Sequence, residues 1–252
     1  MPLGQKLYLN SVFLHTRPPR GEYYAALPAV RHLAAGNRLP FPAPITFFVG
    51  ENGTGKSTLL EAIAVAAGFN AEGGSRNFHF STADTHSGLH RYLNLSRGSI
   101  PSDGFFLRAE SLYNVATDID RLADGDERFL AGYGGVSLHE QSHGESFLAL
   151  IQNRFNRQGL YLLDEPEAAL SPMRQMSLLV LMHRLAAEGS QFIVATHSPI
   201  LITCPGACVY QFDDDGIRQV DYRDTEHFQL TRRFLNDPQR MLNLLLNDES
   251  GG

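Results

Sequence analysis

The chain has 252 residues, of which 43% are hydrophobic, and a formal net charge of -6. That length and apolar content suffice for one large domain or two small ones with a sizeable core. The acidic balance excludes an overall positive field that would attract nucleic acid, while a local basic patch stays compatible with it.

The cysteine content and the N-terminus bear on where the protein works. Cys204 and Cys208 lack the second ligand pair of a zinc site, and they suit a reduced compartment better than a disulfide framework. The N-terminus lacks the pattern of a secretory signal, and no apolar stretch is long enough to span a bilayer. The sequence therefore predicts a soluble, cytoplasmic protein.

The first part of the chain predicts one strand and an irregular connection. Lys6 to Leu14 is rich in aromatic and branched residues, as strands are. Prolines then break residues 39–44 into a loop. Tyr23 and Tyr24 are candidates to stack on an adenine ring, with ordinary core packing as the alternative.

A glycine-rich motif lies between an apolar run at residues 45–49 and a run of helix formers at residues 59–64. Its pattern, G-x-x-x-x-G-K-[ST], binds phosphate when a strand precedes it and a helix follows. The glycines let backbone N–H groups curl around phosphate oxygens, and the helix directs its positive dipole end at the same anion. The predicted nucleotide-binding residues are Gly50, Glu51, Asn52, Gly53, Thr54, Gly55, Lys56, Ser57 and Thr58.

Two residues of this motif have individual roles in the prediction. Lys56 is expected to reach the β- and γ-phosphates, and the Ser57 hydroxyl is expected to take one position on Mg²⁺. The alternative is a glycine-rich turn with a solvated lysine. The complete motif in a strand–loop–helix context favours a nucleoside triphosphate site.

The stretch after this helix predicts antiparallel strands at 78–80 and 89–95, where apolar and polar residues alternate. His79, His86 and His90 lie close together in the sequence. Because no ligand-spaced carboxylate or cysteine accompanies them, surface histidines on an edge hairpin are favoured over a metal site.

Residues 104–108 predict another strand, and residues 112–130 predict an acidic helix. Ser142 then fits a helix N-cap, Gly144 leaves room for close backbone approach, and Glu145 lies in the acidic first turn.

Two buried strands end in residues that suit phosphate chemistry. Residues 160–163 run into Asp164 and Glu165, where the first acid is placed to hold Mg²⁺ and the second to take a proton from an attacking water. Residues 191–195 lead to His197, a candidate third contact to the γ-phosphate. Solvated acids and a structural histidine are the alternatives when each strand is taken alone.

The C-terminal part predicts a strand at 209–212, a solvated turn at the aspartates 213–215, and a helix pair over 226–246. The pair is broken near Pro238. Its leucine-rich end, residues 241–246, is expected to cover the core, with docking of a partner as the alternative.

These motifs, in this order, resemble the ABC-type ATPase superfamily, specifically its soluble branch of stand-alone ATPases related to SMC-like and overcoming-lysogenization-defect-type enzymes. The resemblance covers most of the chain. It implies a P-loop NTPase of the α/β class, with a mixed central sheet flanked by helices, a small antiparallel β lobe and a helical signature lobe at about 111–156. A single domain over residues 1–252 is expected.

The resemblance also implies the chemistry. Lys56, Glu165 and His197 are catalytic, with Glu165 as general base, and Ser57 and Asp164 hold Mg²⁺ beside ATP. The family acts as a head-to-tail dimer in the ATP state. The signature residues Ser142, Gly144 and Glu145 would then contact ATP held by the other subunit.

Four departures from the family pattern limit what carries over. Residues 141–145, Gln-Ser-His-Gly-Glu, replace the Leu-Ser-Gly-Gly-Gln of transporter ATPases, as in the soluble branch. Residues 168–172 lack the aspartate that the family usually has after the strand ending at Asp164 and Glu165. Glu110 is the candidate for the missing Mg²⁺-sensing glutamine. Residues 111–141 are too few for a coiled-coil arm.

The sequence leaves the biological role open. DNA maintenance or phage defence, with DNA or an effector protein as partner, follows from family analogy alone. The alternatives are the ATPase subunit of a membrane transporter and a nucleotide-gated binding module with negligible turnover.

Overall fold

The computed structural model describes residues 7–74, 87–123, 139 and 143–248, and two sheets organise them. The larger sheet has the strand order β5-β6-β7-β3-β8-β9, and the smaller has the order β2-β1-β4. The strands are β1 (Leu9–Leu14), β2 (Leu39–Pro40), β3 (Ile45–Gly50), β4 (Leu93–Arg97), β5 (Asp103–Arg108), β6 (Gly159–Asp164), β7 (Gln191–Ala195), β8 (Cys208–Asp213) and β9 (Gly216–Val220).

The larger sheet is parallel from β5 to β8, and β9 pairs with β8 in the antiparallel sense. Every residue of the central strand β3 is buried, as expected of a parallel strand covered on both faces. Successive side chains alternate between the faces, so Phe47 packs in one hydrophobic cluster and Phe48 in the other. The mixed central sheet and the small antiparallel sheet confirm the predicted fold class.

Helices cover the central sheet and connect its parallel strands. Helix α2 begins at Lys56, within the glycine-rich motif, which confirms the predicted strand–loop–helix order. Of the signature lobe predicted at 111–156, the structure describes the two helices at its ends. The helices are α1 (Pro28–Ala34), α2 (Lys56–Ala67), α3 (Leu112–Ala123), α4 (His143–Arg154), α5 (Pro172–Ala187), α6 (Glu226–Asn236) and α7 (Pro238–Asp248).

The strand predicted over 89–95 is wrong in its first half. A 3₁₀ turn occupies Gly88–Tyr92, and strand β4 begins only at Leu93. The backbone N–H of Ser87 donates to the carboxylate of Glu61 (3.0 Å) and the side chain of Leu89 is fully buried, so the chain turns inward before it extends. The strand predicted at 78–80, with His79 and His86, lies outside the described residues.

The C-terminal helix pair forms as predicted, with its break at Asp237. The expectation that its leucine-rich end covers the core is wrong, because Leu244, Leu245 and Leu246 are 57%, 60% and 64% exposed. Across the described ranges, no helix combines the length and the apolar character needed to cross a membrane.

Gly50 ends β3 where it pairs with Phe212 of β8, at a φ of 140°. A Cβ at this position would lie 2.0 Å from the carbonyl oxygen of Phe212, whereas one at Gly53 would meet nothing within 4 Å. The first glycine of the motif is therefore required by sheet packing.

We predict that Gly50→Ala lowers the free energy of unfolding by about 3 kcal/mol, because the clash is with backbone and has no flexible side chain to absorb it. Gly53→Ala, at a φ of 82°, is the matched control and should cost only about 1 kcal/mol of backbone strain. Urea unfolding of both variants measures the difference. Equal losses would show that the approach of the two strands does not depend on this glycine.

Candidate functional site

Three neighbouring parallel strands end at the same edge of the central sheet. Strand β7 lies between β3 and β6, so their carboxyl ends, at Gly50, Asp164 and Ala195, lie side by side. The backbone N–H of Glu165 donates to the carbonyl of Ala195 at 2.9 Å, which carries the pairing past the strand ends. This edge is where open α/β sheets bind ligands.

The glycine-rich loop contacts the N-terminal end of α1. Gly55 has a φ of 97°, and a Cβ on it would lie 3.2 Å from the Cβ of Ala29 and 3.3 Å from that of Leu27. The backbone N–H of Ala29 also donates to the carbonyl of Thr54 at 3.1 Å. In contrast, Glu51, Asn52 and Gly53 at the tip are exposed, as a loop that wraps an anion requires.

The two tyrosines near this segment have different environments. Tyr24 is buried, 2% exposed, which fits the core-packing alternative. Tyr23 is 66% exposed, and its stacking on an adenine ring stays a prediction.

The ammonium of Lys56 is folded into the loop, where Nζ donates to the carbonyls of Gly50 and Glu51 at 2.8 Å each. Burial lowers the pKa of Lys56, and the nearby carboxylates of Glu165 and Asp164 oppose that shift. The lysine charge is thus held at the strand edge, beside the acids that end β6.

Ser57 and Asp164 form the pair predicted to hold Mg²⁺. The Ser57 hydroxyl donates to Oδ1 of Asp164 at 2.8 Å, and Nε of Arg108 lies 3.5 Å from Oδ2. Burial raises the pKa of Asp164 to about 6, against the opposing influence of the Arg108 charge and the Ser57 hydrogen bond. A cation beside this carboxylate would offset its cost of burial, so the donor set fits a hard divalent metal.

A cavity of about 390 Å³ opens beside this pair. Glu110 lies on its wall, and Oε1 of Glu110 is 2.6 Å from Nη2 of Arg108. The residue predicted to replace the Mg²⁺-sensing glutamine is thus placed at the site. The lining residues are Ser57, Arg108, Ala109, Glu110, Asp164, Glu165 and Ala168.

Glu165 has a left-handed backbone, with φ 49° and ψ 50°, immediately before Pro166. A non-glycine residue held there costs roughly 1 to 3 kcal/mol of strain, a cost that occurs most often at functional sites. The conformation brings Oε1 of Glu165 to 3.7 Å from Nε2 of His197 and leaves the side chain 45% exposed. Glu165, the predicted base, and His197, the predicted contact to the γ-phosphate, are therefore neighbours.

Glu167 is a residue of this site for which the sequence predicts no role. Its Oε2 accepts a 2.7 Å hydrogen bond from the Thr196 hydroxyl, and its Oε1 accepts from the backbone N–H of His197. Burial raises the pKa of Glu167, while these hydrogen bonds oppose the rise. The carboxylate therefore fixes the loop that carries His197.

The signature residues lie against another part of the chain. A Cβ on Gly144 would lie 2.7 Å from the carbonyl oxygen of Ala169, and Oε1 of Glu145 is 3.1 Å from Nη2 of Arg174. Ser142, predicted as the N-cap of α4, lies outside the described residues. Gly144 and Glu145 thus pack on the segment after β6 in their own chain, and their predicted contact with nucleotide stays a prediction.

Comparison with known proteins gives two family profiles and several relatives. The profile described as "AAA domain, putative AbiEii toxin, Type IV TA system" matches residues 132–203. The profile described as "AAA domain" matches residues 31–102. The thiamine import ATP-binding protein ThiQ of Cereibacter sphaeroides is 34% identical over 172 residues, which cover 60% of this chain and 69% of ThiQ.

Two further matches are more distant. The galactose/methyl galactoside import ATP-binding protein MglA of Salmonella typhimurium is 26% identical over 207 residues, 71% of this chain, and the match spans only 40% of MglA. Among solved structures, cbiO1 from Clostridium perfringens, part of the ABC transporter complex cbiONQ, matches with a TM-score of 0.48 and 16% identity. That match covers 95% of this chain and 99% of cbiO1.

We predict that Glu167→Gln lowers ATP turnover about 10- to 100-fold and leaves ATP affinity nearly unchanged. The amide offers one acceptor oxygen in place of two, so either Thr196 or the His197 N–H loses its partner. Steady-state turnover and equilibrium ATP binding measure the two effects. Glu188→Gln, which removes a surface ion pair with Arg157 (3.0 Å), is the matched control. Normal turnover by Glu167→Gln would contradict the positioning role.

Proposed function

The chain belongs to the ABC-type P-loop ATPases, and from that premise we propose that it hydrolyses ATP at the edge formed by β3, β6 and β7. The observation that carries the proposal is the juxtaposition of Ser57 with Asp164 and of Glu165 with His197, at 2.8 Å and 3.7 Å. Both the sequence pattern and the pairing of the strands support this proposal.

ATP is proposed to bind with its phosphates in the loop of residues 50–58. The exposed N–H groups at the loop tip and the N-terminus of α2 would bind phosphate oxygens. Lys56 would exchange its two carbonyl partners for the β- and γ-phosphates. Ser57 and Asp164 would hold Mg²⁺, which neutralises charge on the phosphates when bound.

Hydrolysis needs a positioned water and stabilised charge more than covalent chemistry from the protein. Glu165 would orient the attacking water and take its proton, since its carboxylate is partly open to solvent next to the site. His197 would donate from Nε2 to the γ-phosphate. That atom is buried and has no hydrogen-bond partner among the described residues, as expected of a donor whose acceptor arrives with the substrate.

We further propose that two copies bind two ATP molecules head to tail. In support, Gly144 and Glu145 contact Ala169 and Arg174, on the segment after β6 of their own chain. The signature segment, with Ser142, would therefore serve a phosphate loop on a second copy. ATP binding would join the subunits and hydrolysis would release them.

As the process served, we propose DNA maintenance or defence against foreign DNA, with DNA or an effector protein as partner. The profile over residues 132–203, whose description names a putative toxin, and the departure of residues 141–145 from the transporter pattern support this. The second candidate is a transporter subunit, favoured by the names of ThiQ and MglA. ATP-dependent, salt-sensitive retention of DNA would support the first, and co-purification with a membrane permease the second.

We predict that Glu165→Gln lowers ATP turnover at least 100-fold while ATP affinity stays within about 3-fold of the wild type, because the base is lost and the phosphate loop is intact. Phosphate release in single-turnover experiments and equilibrium nucleotide binding measure the two quantities. Glu22→Gln, at an exposed carboxylate, is the control and should behave as wild type. Turnover unchanged by Glu165→Gln would contradict the assignment and would favour a binding module that hydrolyses ATP negligibly.

A further inference from the structure

The C-terminal helix α6 contributes a histidine to the candidate site, although it lies far along the chain from the motifs. Nε2 of His227 lies 3.2 Å from Nδ1 of His197, with ring centroids 5.1 Å apart. Nε2 of His227 is also 3.8 Å from Oε1 of Glu51, in the glycine-rich loop. His227 therefore lies between the phosphate loop and His197.

The first turn of α6 is anchored firmly enough to place this side chain. The N-cap residue Thr225 is fully buried, and its hydroxyl donates to the carbonyl of Tyr222 at 2.7 Å. Phe228 packs edge-on against the ring of Tyr222 at 5.1 Å and against the hydrophobic core. His227 lies between these two anchors, so its position is fixed on both sides.

The contact between the two rings restricts their protons. Two imidazole nitrogens at 3.2 Å form a hydrogen bond only when one of them carries a proton and the other does not. Burial, followed by the charge of Lys56 and by His227, lowers the pKa of His197 and so favours its neutral form. A neutral imidazole has a single N–H. Which nitrogen of His197 carries that proton depends on His227.

The hydrogen bond between the rings can have its proton on Nε2 of His227 or on Nδ1 of His197. The surrounding charges favour the first arrangement. With the proton of His197 on Nε2 and that of His227 on Nε2, the N–H of His197 faces the Glu165 carboxylate at 3.7 Å. The N–H of His227 then donates to Nδ1 of His197, with the Glu51 carboxylate 3.8 Å from the same nitrogen. The reverse arrangement would turn a lone pair toward each carboxylate. It would also leave a buried N–H at Nδ1 of His227, an atom with no partner among the described residues.

We propose that His227 is a positioning residue for ATP hydrolysis: its Nε2–H donates to Nδ1 of His197 and holds the proton of His197 on Nε2, the nitrogen that faces Glu165. The proposal rests on the proposed ATPase function. His227 itself touches neither phosphate nor water in this scheme. It acts on His197 as the third member of a triad acts on its base, by fixing tautomer and ring orientation.

The tautomer can be measured without turnover, by long-range ¹H–¹⁵N correlation of the histidine rings in the nucleotide-free protein. His197→Gln assigns the signals of His197. We expect the Nε2–H pattern in the wild type and in His227→Gln, whose amide keeps an N–H donor near the same place. We expect a mixture of tautomers in His227→Leu. An unchanged Nε2–H pattern in His227→Leu would overturn the proposal.

Turnover supplies the second readout. His227→Leu should lower kcat about 10-fold or more with ATP affinity unchanged, and His227→Gln should restore most of it. His227→Asn, whose amide is too short to reach His197, should behave like His227→Leu. His183→Leu, at an exposed histidine on α5, is the matched control and should keep the wild-type rate. A loss in His227→Gln equal to that in His227→Leu would mean that packing alone matters and would overturn the proposal.

The ring spectra and the turnover measurements distinguish a failure of this proposal from a failure of the proposed ATPase function. A wild-type protein that binds but does not hydrolyse ATP would contradict the proposed function. The ring spectra would still test whether His227 sets the proton of His197.

Discussion

The parallel pairing of β6 and β3 on either side of β7 is the constraint on which the site depends. Side chains from three distant parts of the chain meet because their strands end at one edge. Gly50 permits the pairing of β3 with β8 at this edge, since any side chain there would collide with the backbone at Phe212. A shift of one strand by one residue would turn its site residue to the other face of the sheet.

The edge concentrates groups that are costly to the protein without a ligand. The Asp164 carboxylate is buried with a raised pKa, the Glu165 backbone is strained, and Nε2 of His197 has no partner among the described residues. A bound metal or substrate would offset the cost of the buried carboxylate and of the unpaired nitrogen, and strained backbone occurs most often at functional sites. Helix α6, the first of the C-terminal pair, adds His227 to the same edge, so the site also draws on the C-terminal part of the chain.

The sequence was sufficient for the parallel strands of the central sheet, the phosphate-loop helix and the confirmed fold class, because each depends on a local pattern of apolar residues, glycines and helix formers. Glu167 and His227 could not be found this way, since their partners are 30 residues away in sequence and become neighbours only through folding. The leucine-rich end of the chain was misjudged because apolar periodicity shows that a helix has an apolar face and not what covers it. Site roles, including that of Ser142, stay predictions.

The central claim is that ATP joins two copies of this chain into one hydrolytic unit. Light scattering of Glu165→Gln, whose subunit mass is 27.9 kDa, with and without Mg-ATP tests it most directly, since loss of the base should trap the ATP-bound state. We expect a dimer with ATP, a monomer without it, and a monomer under both conditions when Ser142→Arg is added. A Glu165→Gln protein that binds ATP and stays monomeric would contradict the claim.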